Sequence, residues 1–169
     1  MPGLGVDISN YTGSITGEQV ACLRERDIVF VVIGLQDWEV AMSQEKTAKR
    51  GGLQTQRYAT RPQQIVGRDF IWLDVEEGCI TSSSELRLAA ELCESQGVPW
   101  GIYASASSWA RYMGDNIDFK SQPLWWAHYD GIPDLVAGWE PFGGWEKPTV
   151  KQYRGTTVVC GVSVDLNVR

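Results

Sequence analysis

At 169 residues with 43% hydrophobic composition, the chain is long enough to bury one substantial core and too short for a second full domain, so residues 1–169 are expected to form a single domain. A net charge of −6, a pI near 4.8 and the lack of any run of five like charges exclude the basic footprint that a phosphate backbone requires, so nucleic acid is not an expected partner. The longest apolar run, Ile28 to Leu35, is strand-sized against the roughly 18–20 residues of a membrane span. A monomer without membrane partners is expected.

The first strand is predicted at Gly5 to Ser9, preceded by Met1-Pro2-Gly3-Leu4, which lacks the basic and long apolar regions of a secretory leader. Thr16 and Gln19 form a capping-box pattern, with Ile15 and Val20 placed as a hydrophobic staple, so a helix starts there and runs to about Arg26. The β-branched run Ile28 to Ile33 reads as a strand buried on both faces. Between Trp38 and Gly67 the expected elements are a polar helix over Gln44 to Arg50, a short strand at Leu53 to Tyr58 and a helical turn after Pro62.

Asp69 to Glu76 is predicted as a strand. A second capping pattern, Ser82 to Glu85, opens a helix whose Leu86, Ala89, Ala90 and Cys93 share one face and whose stop is Gly97. Val98 to Ala104 is the next strand, Ser107 to Met113 a short helix and Leu124 to Tyr129 a further strand, with two more at Val150 to Tyr153 and Val162 to Asn167. Alternation of strands and helices implies an α/β chain with a largely parallel sheet, in barrel or open form, and the short final connections predict that its last part loses the helices.

On the predicted strand, Trp72, Asp74 and Glu76 face one way and Leu73 and Val75 the other, so two carboxylates share a face near the C-terminal end, where parallel α/β architectures bind ligands. Like charges this close raise the pKa of at least one, as a proton donor to a glycosidic oxygen requires. An isolated Asp-x-Glu more often simply ends a strand or pairs with arginine. Here Asp7, flanked by Val6 and Ile8, and Asp165, flanked by Val164 and Leu166, also point acids from strand ends. Barrel closure would bring the first and last strands together, so that these two acids converge with the central pair.

The ordered motifs Gly5-Val6-Asp7-Ile8-Ser9, Leu73-Asp74-Val75-Glu76, Trp126-Ala127-His128-Tyr129, Lys151-Gln152-Tyr153 and Val164-Asp165-Leu166-Asn167 resemble those of glycoside hydrolase family 25, the Chalaropsis-type lysozymes. The resemblance reaches from Asp7 to Asn167. It implies an irregular, shortened TIM-like β/α barrel with its site at the C-terminal ends of the strands. It further implies N-acetylmuramidase activity on bacterial peptidoglycan, outside the cell or at the cell wall. Glu76 would be the proton donor, Asp74 its assistant, Asp7 and Asp165 the rest of the acidic cleft, and Tyr129 part of its lining. The segment Val31 to Asp37 departs from the family's pattern, and the third β-α unit, Trp38 to Phe70, is short. Two alternatives therefore stand: a catalytically silent carbohydrate-binding protein on the same barrel, or a glycosidase acting on another polysaccharide.

Eight tryptophans are available for stacking on sugar rings, and Trp38, Trp72, Trp125, Trp126, Trp139 and Trp145 are candidates. Trp72, Trp126, Tyr103, Tyr129 and Tyr153 are the expected substrate-binding aromatics, and Trp139 and Trp145 the expected exposed pair. His128 lies in the opposite strand phase to Ala127 and Tyr129 and reads as structural. Neither a G-x-S-x-G elbow nor a phosphate-cradling glycine motif occurs. Cys22, Cys79, Cys93 and Cys160 show no metal-ligand spacing, so neither a metal nor a cofactor is expected. Cys93, on an apolar helix stripe, and Cys160, after Val158-Val159, read as buried free thiols, although an even count permits two disulfides.

Overall fold

A computed structural model describes residues 3–169; Met1 and Pro2, which begin the segment read as lacking a leader, lie outside the described residues. Eight strands close a barrel in sequence order: β1 Leu4–Ile8, β2 Ile28–Gly34, β3 Gln54–Ala59, β4 Ile71–Val75, β5 Trp100–Ala104, β6 Leu124–Ala127, β7 Val150–Val159 and β8 Val162–Val168. Neighbours from β1 to β7 are parallel, and β8 runs antiparallel to both β7 and β1. The fold is thus a shortened, irregular TIM-like barrel.

Helices cross over in four of the connections: α1 Gly17–Glu25, α2 Trp38–Arg50, α3 Ser83–Gln96 and α4 Ala106–Tyr112. The capping box of α1 forms as read, with Thr16 Oγ1 accepting from Gln19 N–H and Gln19 Oε1 accepting from Thr16 N–H. Helix α2 begins six residues earlier than the polar stretch at Gln44 indicates, because Asp37 caps it by accepting from Val40 N–H. Its polar residues are not a solvated face: Gln44 is buried and donates to the carbonyls of Ser9 and Gly13, and buried Glu45 pairs with Arg57 at 2.8 Å. Between β3 and β4 there is only a 3-10 turn, Pro62–Gln64, which is the shortened unit. Among the described residues, no helix is long and apolar enough to cross a membrane.

Strand alternation divides the core. Val6, Ile8, Val31, Ile33, Leu73, Val75 and Ile102 pack outward against the helices, while Phe30, Val32, Trp72, Tyr103, Trp125 and Val150 fill the barrel. Gly5 is required by this filling, since a Cβ there would collide with the Phe30 ring. Strand β2 is not fully buried on both faces as expected, for Val29 is exposed.

The connection from β6 to β7 contains no helix, and its loop shields the barrel with aromatics instead. Trp126, Trp139, Phe142, Trp145 and Trp109 form a continuous series of ring contacts at centroid distances between 4.8 and 5.6 Å. The expected exposed pair is therefore corrected: Trp145 is buried and Trp139 is half-buried, because a barrel wall without a helix must be covered by something apolar. Lys151, fully buried, ties the loop down by pairing with Asp130 at 2.7 Å and donating to the carbonyls of Asp134 and Ala137.

The cysteine reading is half corrected. Cys93 is a buried free thiol, but Cys160 is bonded to Cys22. Cys160 and Gly161 form the two-residue tip of the β7–β8 hairpin, with φ of 55° and 73°, a turn that puts the Cys160 side chain over α1 rather than into the core.

Candidate active site

The site is built where β1, β4 and β8 present acids to the inside of the barrel. Asp7 and Asp165 are directly opposed across the β1–β8 pairing, which only barrel closure creates. Asp74 is the last inward residue of β4, and Glu76 follows one residue past the strand's end, at the solvent-exposed rim. One cleft of about 80 Å³ is lined by all four, together with Tyr58, Tyr103, Trp125 and Gln152. It adjoins a hollow of about 200 Å³ that shares Asp7, Tyr58 and Asp165 and runs toward Ser9 and Thr156. A further hollow of about 470 Å³ lies between Tyr129, Tyr153 and Arg154. Another hollow, about 550 Å³, is at the opposite end of the barrel before β6 and β7, and it contains no carboxylate pair.

Gln152, on β7, organises the acids. Its Oε1 accepts from Tyr103 OH and Tyr129 OH, both at 2.8 Å, and its Nε2 donates to Asp7 Oδ2 at 2.8 Å and Asp165 Oδ2 at 3.1 Å. All four hydrogen-bonding capacities of the amide are thereby used. Asn167 adds a second donor to Asp7 Oδ2 at 2.7 Å, and its own Oδ1 accepts from Trp125 Nε1 at 2.8 Å. Asp165 Oδ1 also accepts from the backbone N–H of Thr156 at 2.6 Å. The arrangement holds two carboxylates side by side with donors aimed at them.

None of the four acids pairs with a lysine, arginine or histidine among the described residues. Burial and unopposed negative charge therefore favour protonation. Burial, then the charge of Asp165, pushes Asp7 up to about 7 against the donors from Asn167 and Gln152. Asp74, only 3% exposed, is raised well above the carboxylate range by burial and then by the charge of Glu76. Glu76 is raised by partial burial and by Asp165, and Asp165 by burial. A rim carboxyl held toward its neutral form above a buried acid is poised to donate a proton.

A turn completes this lip. Cys79 N–H donates to the Glu76 carbonyl and Ile80 N–H to the Asp74 carbonyl, with Gly78 at φ 80° in the third turn position. The turn folds Cys79 back toward the acids, its Sγ 3.9 Å from Glu76 Oε1. Ligand atoms of Asp74, Glu76 and Cys79 all lie within 4.8 Å of one another. The residue spacing alone shows no such group, because the reversal depends on the turn. Burial and the two neighbouring carboxylates push the Cys79 thiol far above its ordinary value.

The aromatic assignments divide. Tyr103 and Tyr129 are in the cleft, their hydroxyls 3.4 Å apart, and Tyr129 is 62% exposed, offering a face to a ligand. Trp72 is on the inner face as read, but it is 1% exposed in the barrel core, with Nε1 donating to Gln56, so it supports the site from below. Trp126 is not in the cleft: it faces outward, stacked on His128 at 4.5 Å, and Trp125 takes the inward position. The phase argument that turns His128 away applies equally to Trp126, two residues before it on the strand. Tyr153 likewise points opposite to Gln152, into the adjoining hollow beside Tyr129. Gln152 and Asn167 were legible only as parts of motifs; nothing in their spacing marks them as the donors to Asp7.

Comparison with known proteins places this geometry. The family model described as Lysozyme-like protein 1 matches residues 34–153. Probable GH family 25 lysozyme 3 of Dictyostelium discoideum is 33% identical across 98% of the chain and 40% of its own length. Counting factor 50 of the same organism is 39% identical across 59% of the chain and 35% of its own length. The chain thus spans less than half the length of these curated relatives. Among solved structures, a family GH25 lysozyme from Aspergillus fumigatus superimposes with a TM-score of 0.73 at 20% identity, covering 99% of this chain and 93% of that one. That likeness establishes the same barrel fold, and with the family match over the strands that carry the rim acids and Gln152, the chain belongs to glycoside hydrolase family 25, the lysozyme-like family.

Proposed function

We propose that this chain is a cofactor-free N-acetylmuramidase that hydrolyses the β-1,4 bond between N-acetylmuramic acid and N-acetylglucosamine in bacterial peptidoglycan. The observation that carries this reading is the convergence of Asp7, Asp74, Glu76 and Asp165 on one cleft without a cationic partner, with Glu76 at its exposed rim. Glu76 protonates the leaving oxygen. Asp74, a carboxyl oxygen of which lies within 4.8 Å of one of Glu76, serves it from beneath. Asp165, joined by Asp7 once that carboxyl ionises near pH 7, supplies negative charge for the oxocarbenium-like state. The hollow beside Asp7 and Asp165 and the one beside Tyr129, which meet at Thr156, give a chain of sugars room next to the acids, with Tyr129 as a stacking face. The Cys22–Cys160 bond supports action in an oxidising, extracellular setting.

The test is release of new reducing ends from purified cell walls, identified as muramitol after borohydride reduction. Wild-type protein is expected to clear the suspension and yield muramitol, and Glu76→Gln to lose roughly 10²- to 10⁴-fold, the usual contribution of a general acid. Wild-type rates from Glu76→Gln would overturn the assignment. Cell-wall binding without new reducing ends would instead establish the silent carbohydrate-binding alternative.

A further inference from the structure

We propose that Asp74, Glu76 and Cys79 form a three-ligand site for a thiophilic divalent cation of the zinc class, seated at the lip of the cleft. Three independent features lead there. The donor set is one thiol and two carboxylates, with ligand atoms within 4.8 Å of one another. Tetrahedral zinc, with metal–ligand distances of about 2.0–2.3 Å, needs its ligands about 3.5 Å apart, so small side-chain rotations suffice to close the site. Asp74 is 97% removed from solvent, yet its Oδ1 has no hydrogen-bond partner. A buried carboxyl oxygen left in that state is satisfied either by a proton shared with Glu76 or by a cation that takes the proton's place. Finally, no lysine, arginine or histidine pairs with any of the four cleft acids among the described residues, so a dication entering the lip displaces protons rather than a competing side-chain cation.

The backbone is prepared for this. The Glu76–Cys79 turn, closed by the Cys79 N–H to Glu76 carbonyl bond and permitted by Gly78, sets the thiol on the same side as both carboxylates. The sulfur decides which metals fit. Magnesium and calcium require about six or more oxygen ligands, whereas one thiolate with two carboxylates suits zinc, cobalt or cadmium and leaves a fourth position open to the cleft. On binding, the Cys79 S–H bond gives way to a sulfur–metal bond, and the thiol proton leaves to solvent together with any proton held on Asp74 and Glu76; the metal's charge reverses the local preference that otherwise keeps these groups protonated. A metal here occupies both rim carboxylates, so metal and glycan exclude each other. That exclusion rests on the hydrolytic reading above; the metal binding does not.

The experiment titrates the disulfide-intact chain with Co²⁺ as probe and Zn²⁺ as competitor. Wild type is expected to take up one equivalent of Co²⁺ with a thiolate-to-cobalt charge-transfer band, displaced by Zn²⁺ but not by Mg²⁺. Cys79→Ser loses the band and binds Zn²⁺ more weakly by about tenfold or more, since even outer-shell changes cost about 10- to 100-fold. Cys93→Ala, which removes the other free thiol, buried on α3, keeps it. A second measurement needs no variant: Zn²⁺, and not Mg²⁺, should slow iodoacetamide labelling of Cys79 mapped by mass spectrometry. The site is overturned by absence of one-equivalent binding, by a band that survives in Cys79→Ser, or by labelling of Cys79 that Zn²⁺ does not change. Binding without inhibition of cell-wall hydrolysis overturns the exclusion alone, and binding by a protein with no hydrolytic activity refutes the enzymatic reading while the metal site stands.

Discussion

Replacing Gln152 by leucine keeps the side chain's approximate size and removes an amide that is 2% exposed and uses all four of its hydrogen-bonding capacities. Two of its partners, Tyr129 and Asp165, reach water and can be rehydrated, so the loss concentrates on the buried pair Tyr103 and Asp7. A neutral bond contributes about 0.5–1.5 kcal/mol, a bond to a charged group about 1.5–3 kcal/mol, and an abandoned buried group adds a desolvation penalty of similar size. Asp7 retains Asn167 as a donor, which limits its share. Because Asp7 titrates near 7, the bond from Gln152 is charge-assisted above that pH and neutral below it. The expected destabilisation is therefore about 2 kcal/mol at pH 5 and about 4 kcal/mol at pH 9. Urea unfolding at both pH values, followed by tryptophan fluorescence, measures the difference. Gln152→Glu, which keeps acceptors for the tyrosines but replaces the donor with an anion, should show a still steeper loss with pH. Equal destabilisation of Gln152→Leu at the two pH values would refute the reasoning.

Further outcomes follow from the same geometry. The Asp7 carboxyl holds its proton to about pH 7 in the folded chain and to about 3.8 when unfolded, so between those values the native state binds more protons and stability falls as pH rises. Asp7→Asn should flatten this slope and be more stable than wild type at pH 8, and an unchanged slope in denaturation midpoints would remove Asp7 as its source. Reduction of the Cys22–Cys160 bond, which closes a sequence separation of 138 residues, is expected to lower stability by roughly 2–5 kcal/mol, read from unfolding with and without reductant. Lys151→Met leaves Asp130 without its buried cation; because Asp130 remains 18% exposed, the expected cost is near the lower end of the range for a broken buried pair, about 3 kcal/mol, with faster proteolysis of the 128–149 loop. Wild-type protease resistance would show that the aromatic contacts alone hold that loop.

Much of the fold follows from local physics. Thr16, Ser82 and their partners cap α1 and α3 through side chains three residues away, Gly97 ends α3 in the left-handed region, and strand alternation turns Asp7, Asp74 and Asp165 inward. Such signals are legible because each depends on atoms only a few residues apart. The same alternation excludes Trp126 from the cleft and admits Trp125, a consequence readable from the placement of His128 alone. Helix α2 is harder to read: its buried Gln44 and Glu45 find partners on β3 and in the loop after β1, and polar residues paired across the fold leave no apolar stripe.

The acids at Asp74 and Glu76, their inward direction and their membership of a family pattern belong to the sequence by itself. Their chemistry belongs to the tertiary structure. Antiparallel insertion of β8 between β7 and β1 sets Asp165 opposite Asp7, separated by more than 150 positions in the chain, and lets one amide from β7 reach both. The disulfide between α1 and the hairpin tip, the aromatic cover over the barrel wall and the burial that holds protons on the cleft acids arise in the same way. Each depends on which distant surfaces meet when the barrel closes, and neither periodicity nor spacing encodes that meeting.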